Sequence, residues 1–353
     1  MTPLFDTTRS LIQGAQNICK KLQSLGYPTV VVGGAVRDAL RGVPPQDIDI
    51  ATAANPDLCE ESFERTLPTG KVFGTITVML GDYSYQVTTF RSETSYSNFR
   101  HPDTIQFETS LDADLNRRDF TFNAMAYDLV SDTLTDLFKG HDHLKEQKMV
   151  MVGNPLKRFE EDSLRLFRAC RFASQLDCTC DDALWEALCT LGPSISLPSK
   201  ERIHSEIEKC IMNPYAKKGI DYGIKSGLFQ RVIPGIETIQ DNNWKAILSN
   251  EGKKRWAALL AHCNQEESFK RLYFRKKDQK WISQLIHFNG DEQKAAFTIK
   301  DLALSGDMIQ NMGFSGPDIG KAQKACLEFV LRDLELNTKK NLKDFLISYF
   351  SKL

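Results

Sequence analysis

Residues 30–50 narrow what this chain can fold into more than any other stretch. Three β-branched residues, Val30, Val31 and Val32, run into Gly33-Gly34, and a short helical pattern carries Ala35, Val36, Arg37 and Leu40. Gly42 and then Pro44-Pro45 close that helix, and Asp47-Ile48-Asp49-Ile50 opens a second apolar alternation. The pattern reads as strand, glycine turn, short helix, strand. Glycines lack Cβ atoms, so backbone N–H groups can approach an anion there. A helix opening at that turn with Arg37 on its first turns aims peptide dipoles and a guanidinium at the same phosphates. Two apart on a strand, Asp47 and Asp49 share one face, roughly 7 Å apart at Cα, while Ile48 and Ile50 turn to the core. Singly, Asp-x-Asp is most often a solvated pair and Gly-Gly only a turn. Within one strand-turn-helix-strand unit they point to phosphate and to Mg2+, which takes one or two carboxylates plus substrate phosphates.

At 353 residues the chain exceeds one ordinary core, so about two to four domains are expected. The net charge of −1 excludes RNA binding through overall basicity and leaves local clustering as the route. The nine cysteines are scattered, and the close pair Cys178 and Cys180 has no Cys or His pair nearby to complete a zinc site. Reduced thiols in a cytoplasmic protein are therefore expected. The polar start through Asp6-Thr7-Thr8-Arg9 carries no signal-peptide pattern, and no apolar run approaches a membrane span, so no membrane partner is expected.

Gly33-Gly34-Ala35-Val36-Arg37-Asp38 followed by Asp47-Ile48-Asp49-Ile50-Ala51-Thr52 resembles the head motif of the class II tRNA nucleotidyltransferase and bacterial poly(A) polymerase family. Its members add nucleotides to RNA 3′ ends from a polymerase β-like palm. The resemblance covers about residues 8–235 and is faint beyond. It implies an α+β chain: a polymerase β-like nucleotidyltransferase head (a small mixed sheet with helices) at 1–140, a helical neck with a base-selecting motif at 141–235, and a helical body and tail that bind RNA at 236–353.

Before the head motif, apolar positions from Leu11 to Leu25 have helical spacing over residues 8–25, closed by Gly26. After it, Asn55-Pro56-Asp57 caps a helix through Phe63, and residues 71–80 and 83–90 around Gly81-Asp82 read as an antiparallel hairpin. Family members commonly carry an acidic residue near the active site on that second strand; here Gln86 occupies the place. Residues 91–104 are polar without a period and read as a surface loop. By resemblance, a loop of this length accompanies addition of the terminal A and is shortened in enzymes adding only two Cs.

Residues 111–126 contain Asn116-Arg117-Arg118-Asp119, a close match to the family's Arg-Arg-Asp motif. Adjacent arginines on a helix should diverge, one reaching ligand and the other pairing with a carboxylate; charge pairing alone is the rival reading. By resemblance Arg117 meets the incoming nucleotide and Asp119 orders its ribose side. Residues 127–130 and 134–138 form a last hairpin. Residues 158–173 read as one long helix on which Asp162, Arg165 and Arg168 spiral toward a common cleft. A carboxylate acceptor beside a guanidinium donor can mimic a base edge, accepting from the amino group of C or A and donating to its ring nitrogen. An exposed salt bridge is the rival reading. The resemblance makes Asp162, Arg165, Arg168 and Arg171 the amino-acid template for CTP and ATP. Residues 198–206 open a further helix with a Ser cap, and Lys253-Lys254-Arg255-Trp256 with residues 269–277 interleave cations and aromatics as RNA-tracking surfaces do.

The expected function is Mg2+-dependent transfer of CMP and AMP to a tRNA 3′ end, with Asp47 and Asp49 as metal ligands and Gly33, Gly34 and Arg37 around the triphosphate. A-adding or CC-adding enzymes and a poly(A) polymerase are rivals within the class. A non-catalytic RNA-binding relative would have no use for the carboxylate pair, and a drug-modifying nucleotidyltransferase would lack the template residues.

Overall fold

The computed structural model describes residues 4–94, 104–239, 244, 247–248 and 252–350. The chain divides into two compact units, Met1–Glu237 with Lys270–Tyr273, and Thr238–Phe269 with Phe274–Leu353. Among the described residues no helix is long and apolar enough to cross a membrane.

In the first unit, helix α1 (Ser10–Ser24) buries Leu11, Ile12, Ala15, Ile18, Cys19 and Leu22, the face its spacing predicts. Strand β1 (Thr29–Val32) is buried along its length and lies between β2 (Asp49–Thr52) and β8 (Met125–Asp128), antiparallel to both. Helix α2 (Gly34–Leu40) bridges β1 to β2 and ends where Gly42 takes φ 71°. Asn55 caps α3 (Pro56–Ser62) by accepting the Leu58 N–H at 2.8 Å. With β3 (Thr66–Leu67), β4 (Thr75–Leu80), β5 (Tyr83–Thr89) and β9 (Thr133–Asp136) the sheet has seven strands in the order β3-β4-β5-β2-β1-β8-β9. It is mixed: β2 and β5 run parallel, and Asp49 pairs there with Gln86. The expected hairpin therefore starts at Thr75 rather than Lys71, because Lys71–Phe73 closes a 3-10 turn between two positive-φ glycines, Gly70 and Gly74.

The expected loop at 91–104 is structured at its flanks, where β6 (Arg91–Thr94) pairs antiparallel with β7 (Thr104–Phe107). Residues 95–103 lie outside the described residues. After α4 (Leu111–Asn116), the chain passes through β8, β9, α5 (Gly140–Lys145) and β10 (Lys148–Met149) into α6 (Pro155–Glu161) and α7 (Leu164–Leu176). The single long helix expected over 158–173 is thus two helices. Asp162 leaves helical geometry at φ −140° and ψ 101°, and its Oδ1 accepts the Leu164 N–H at 3.1 Å, so it caps the second helix instead of continuing the first. Strand β11 (Thr179–Cys180) and helices α8 (Asp182–Leu191), α9 (Lys200–Met212) and α10 (Ala216–Lys225) complete this unit's helical part. Ser199 stands at the N-cap of α9, but its hydroxyl makes no capping hydrogen bond.

The second unit is helical, with helices such as Lys253–Leu260, Lys276–His287, Pro317–Val330 and Lys339–Phe350. Leu304, Ile309, Cys326, Val330, Leu342 and Leu346 form one of its cores. Of the interleaved aromatics expected to stack on RNA, Trp256 and Phe274 are buried, while Tyr273, which belongs to the first unit, is 50% exposed. Trp256 and Phe274 meet edge to face at 5.0 Å, while Lys254 pairs with Glu292 at 3.1 Å. Lys253 pairs with Asp278. Trp256 and Phe274 serve the core because burying such rings outweighs leaving them to solvent. All nine cysteines are unbridged, and burial pushes the thiols of Cys19, Cys59, Cys178 and Cys210 up to about 12, which leaves them protonated and inert.

Candidate active site

At the end of β1 the backbone of Gly33 takes φ 69° and ψ −128°, a region open in practice only to glycine. A Cβ there would also stand 3.3 Å from Arg118 Nη1, so the bare turn is what lets a guanidinium lie against it. Directly across the ladder, Val32 faces Asp49. Asp49 opens β2, whereas Asp47 sits in the bend before it, with Ile48 buried between them and both aspartates facing outward. The expectation that both lie on a strand holds for Asp49 alone, because Pro44-Pro45 delay the start of pairing. Neither carboxylate forms a hydrogen bond or ion pair with a described residue. Desolvation in the cleft raises the Asp49 carboxyl above its usual range, Asp47's charge adds to this, and Arg118 opposes it. Two unneutralised carboxylates that repel one another are chemistry suited to a divalent cation. Among the described residues no third acidic, His or Cys ligand joins them, so the remaining ligands have to come from substrate phosphate and water.

Facing this pair is a cleft of about 650 Å3 whose lining includes every expected site residue: Gly33, Gly34, Arg37, Asp47, Asp49, Arg117, Asp119, Asp162, Arg165, Arg168 and Arg171. Eight cationic residues line it against five aspartates, a surplus that suits a polyphosphate. Arg37 is buried and fixed: its Nε and Nη2 donate to the two Asp38 oxygens, each at 2.9 Å, and its Nη1 donates to Asn123 Oδ1 at 2.8 Å. It lends the turn positive charge from a held position.

Arg117 and Arg118 do not divide their work as the sequence suggested. Both grip the buried Asp114, Arg117 through Oδ1 at 2.7 Å and Arg118 through Oδ2 at 2.9 Å, and both still line the cleft. At i,i+3 and i,i+4 from Asp114 across the end of α4, the two side chains fall on one face, and a carboxylate has an oxygen for each. Burial works against the Asp114 charge, but Arg118 and then Arg117 hold its carboxyl below the ordinary value.

Asp119 is the junction between sheet and helices. Its Oδ2 accepts from Arg168 Nε at 2.6 Å, and its Oδ1 accepts from the Phe120 N–H at 2.8 Å and from Asn123 Nδ2 at 3.1 Å. Burial opposes its ionisation, yet Arg168 with these N–H donors holds the carboxyl well below the usual range. Asn123 thus ties Arg37 to Asp119, and Asp119 ties to Arg168. From there Glu206 on α9 continues the chain, accepting from Arg171 Nε at 2.6 Å with Arg168 Nη1 at 3.9 Å. Phe172 is the shared floor: the guanidinium carbons of Arg171, Arg168 and Arg37 stand 3.9, 5.3 and 5.5 Å from its ring centre.

Asp162 and Arg165 lie at the break between α6 and α7. Asp162 Oδ2 accepts from Arg202 at 3.1 Å, and the buried Arg165 donates through Nη1 to Glu161 at 2.9 Å and to the Arg158 carbonyl at 2.7 Å. Arg158 in turn donates to the carbonyls of Arg117 and Arg118, fastening this break to the Arg-Arg-Asp segment. Sequence reasoning did not assign Asp114, Asn123 and Glu206 to the site. Asp114 had a readable signal, an acid three and four residues before two arginines, but Asn123 matters through its link to the distant Arg37, and Glu206 through the distant Arg171 and Arg168.

A mixed sheet that sets a glycine turn and a carboxylate pair under an arginine-lined cleft defines a nucleotidyltransferase head. Residues 29–150 match the family described as poly A polymerase head domain, and residues 179–240 match the probable RNA and SrmB-binding site of polymerase A. The CCA-adding enzyme of Streptococcus pyogenes is 32% identical over 359 residues, spanning 96% of this chain and 89% of that protein. That of Streptococcus uberis is 34% identical over 307 residues, spanning 84% of this chain and 76% of its own. The chain belongs to the CCA-adding enzyme family, a nucleotidyltransferase family that implies a divalent metal. Its fold is similar to the Bacillus stearothermophilus CCA-adding enzyme in complex with CTP, with TM-score 0.67, 24% identity and 98% of each chain covered. It is likewise similar to the Thermotoga maritima CCA-adding enzyme complexed with tRNA, with TM-score 0.66, 20% identity and coverage of 98% of this chain and 96% of that one.

Proposed function

We propose that this chain is a cytoplasmic, template-independent tRNA nucleotidyltransferase that adds CMP and AMP from CTP and ATP to the tRNA 3′ end and releases pyrophosphate. The observation that carries the reading is one cleft in which an unneutralised carboxylate pair faces a group of anchored arginines. Relatives that share most of the chain's length are CCA-adding enzymes, and solved structures of such enzymes contain CTP, ATP or tRNA. Asp47 and Asp49 would hold Mg2+, which when bound favours ionisation of the attacking 3′ hydroxyl and offsets charge on the leaving pyrophosphate. The Gly33-Gly34 turn, Arg37 and Arg117 bind the triphosphate, and Asp119 holds the ribose side through its arginine partner. Asp162 and Arg165 read the base edge, with Arg168 and Arg171 beside them. Residues 1–140 serve as head, 141–235 as neck and 236–353 as RNA-binding body and tail. Preservation of the stretch 91–104 at full length supports addition of the terminal A as well as the two Cs.

The test is Asp47→Asn and Asp49→Asn, each of which should abolish CMP and AMP transfer while leaving the circular dichroism spectrum unchanged. Added Mg2+ should raise the melting temperature of the unaltered chain and not that of the Asp49→Asn variant. Substantial transfer by both variants would remove the two-carboxylate assignment.

A further inference from the structure

The cleft accounts for a nucleoside triphosphate, yet the RNA that receives the nucleotide also has to end there, and an exposed apolar patch adjoins the cleft at Arg91. Val72 is 84% exposed, Phe73 40% and Phe107 46%, three large apolar side chains that a monomer normally covers. They surround one turn. Gly74 takes φ 82°, and the Phe107 ring comes within 2.8 Å of where its Cβ would be, so a bare residue lets that ring lie over the turn. Arg91 connects the turn to the cleft. It lines the cleft, donates to the Phe73 carbonyl and stands opposite Phe107 in the β6·β7 pairing.

We propose that Phe73 and Phe107, with Val72 at their edge, form the stacking platform for the last bases of the acceptor RNA, placing its 3′ hydroxyl toward Asp47 and Asp49. The occupant follows from chemistry on the page. Aromatic faces next to a guanidinium suit unpaired bases and their backbone without regard to sequence, as an acceptor end that changes with each addition requires. The platform is also continuous with the cleft in which the incoming nucleotide is proposed to lie.

This inference rests on the RNA-tailing reading, and the experiment separates the two. In the full chain, Phe73→Ala and Phe107→Ala should each raise the KM for tRNA lacking its CCA end on the order of tenfold, leave the KM for CTP within about twofold, and Phe73→Trp should restore the acceptor KM. A 2-aminopurine at the RNA's terminal position should be quenched on binding the unaltered protein and remain bright with Phe73→Ala, which reads the contact without catalysis. Acceptor KM and quenching unchanged in both alanine variants would overturn the platform, as would equal losses for acceptor and CTP. Failure of the unaltered protein to incorporate any nucleotide would instead overturn the reading on which the platform depends.

Discussion

Glu206 holds Arg171 and approaches Arg168 from a buried position, beside Gln175, whose Oε1 accepts from Arg171 Nη1 at 3.0 Å. Arg171 donates to Glu206 at 2.6 Å and Arg168 approaches at 3.9 Å, while Arg168 also serves Asp119. It is a positioning residue. Glu206→Ala should cost roughly 2–4 kcal/mol of stability by stranding buried guanidinium charge, and Glu206→Gln should cost less while lowering selectivity for CTP over UTP. A Gln variant with unaltered selectivity and only reduced stability would make Glu206 purely structural. Asp119 gives a pH prediction. Its carboxyl is depressed in the folded chain, so the stabilisation is present above the ordinary carboxylate pKa and is lost as pH falls through the folded value. Asp114 has the same sign. Stability measured by urea titration should therefore decline from about pH 4 downward, and Asp119→Asn should flatten that decline. That the expected residues would share one cleft was legible because each lies in a compact motif. Asn123 and Glu206 were not, since their importance comes from partners that the fold brings to them.

At the scale of elements, the β1-turn-α2-β2 unit was readable because glycine, proline and alternating isoleucines each impose a local backbone choice. Gly33 tests it. Gly33→Ala introduces a Cβ at φ 69° and presses on Arg118, so it should cost about 1–3 kcal/mol and weaken triphosphate binding more than RNA binding. A variant of unchanged melting temperature and CTP affinity would show that the turn tolerates a side chain. The break between α6 and α7 was not readable. Phe159 to Ala173 has continuous helical spacing, and the break depends on Asp162 turning back to the Leu164 N–H while Arg202 from α9 holds its other oxygen. Local propensity favours one helix, and those tertiary contacts override it.

For the whole molecule, the sequence carried the α+β head followed by helices, and the mixed seven-stranded sheet has the expected composition of elements. The second unit was the least legible, because cation and aromatic spacing reads alike for an RNA surface and for a helix that buries its rings. Trp256 and Phe274 took the buried alternative. The proposed function joins these parts in one reaction, in which a protein surface, without a nucleic-acid template, would dictate the order C, C, A. The most direct measurement is to incubate the full chain with Mg2+ and tRNA ending at the discriminator base, supplying CTP alone, ATP alone or both, and to sequence the 3′ ends. CTP alone should give two added Cs and then stop, ATP alone should give no extension, and both together should give CCA with no further growth. Extension by ATP alone, or an unbounded run of one nucleotide, would contradict the account.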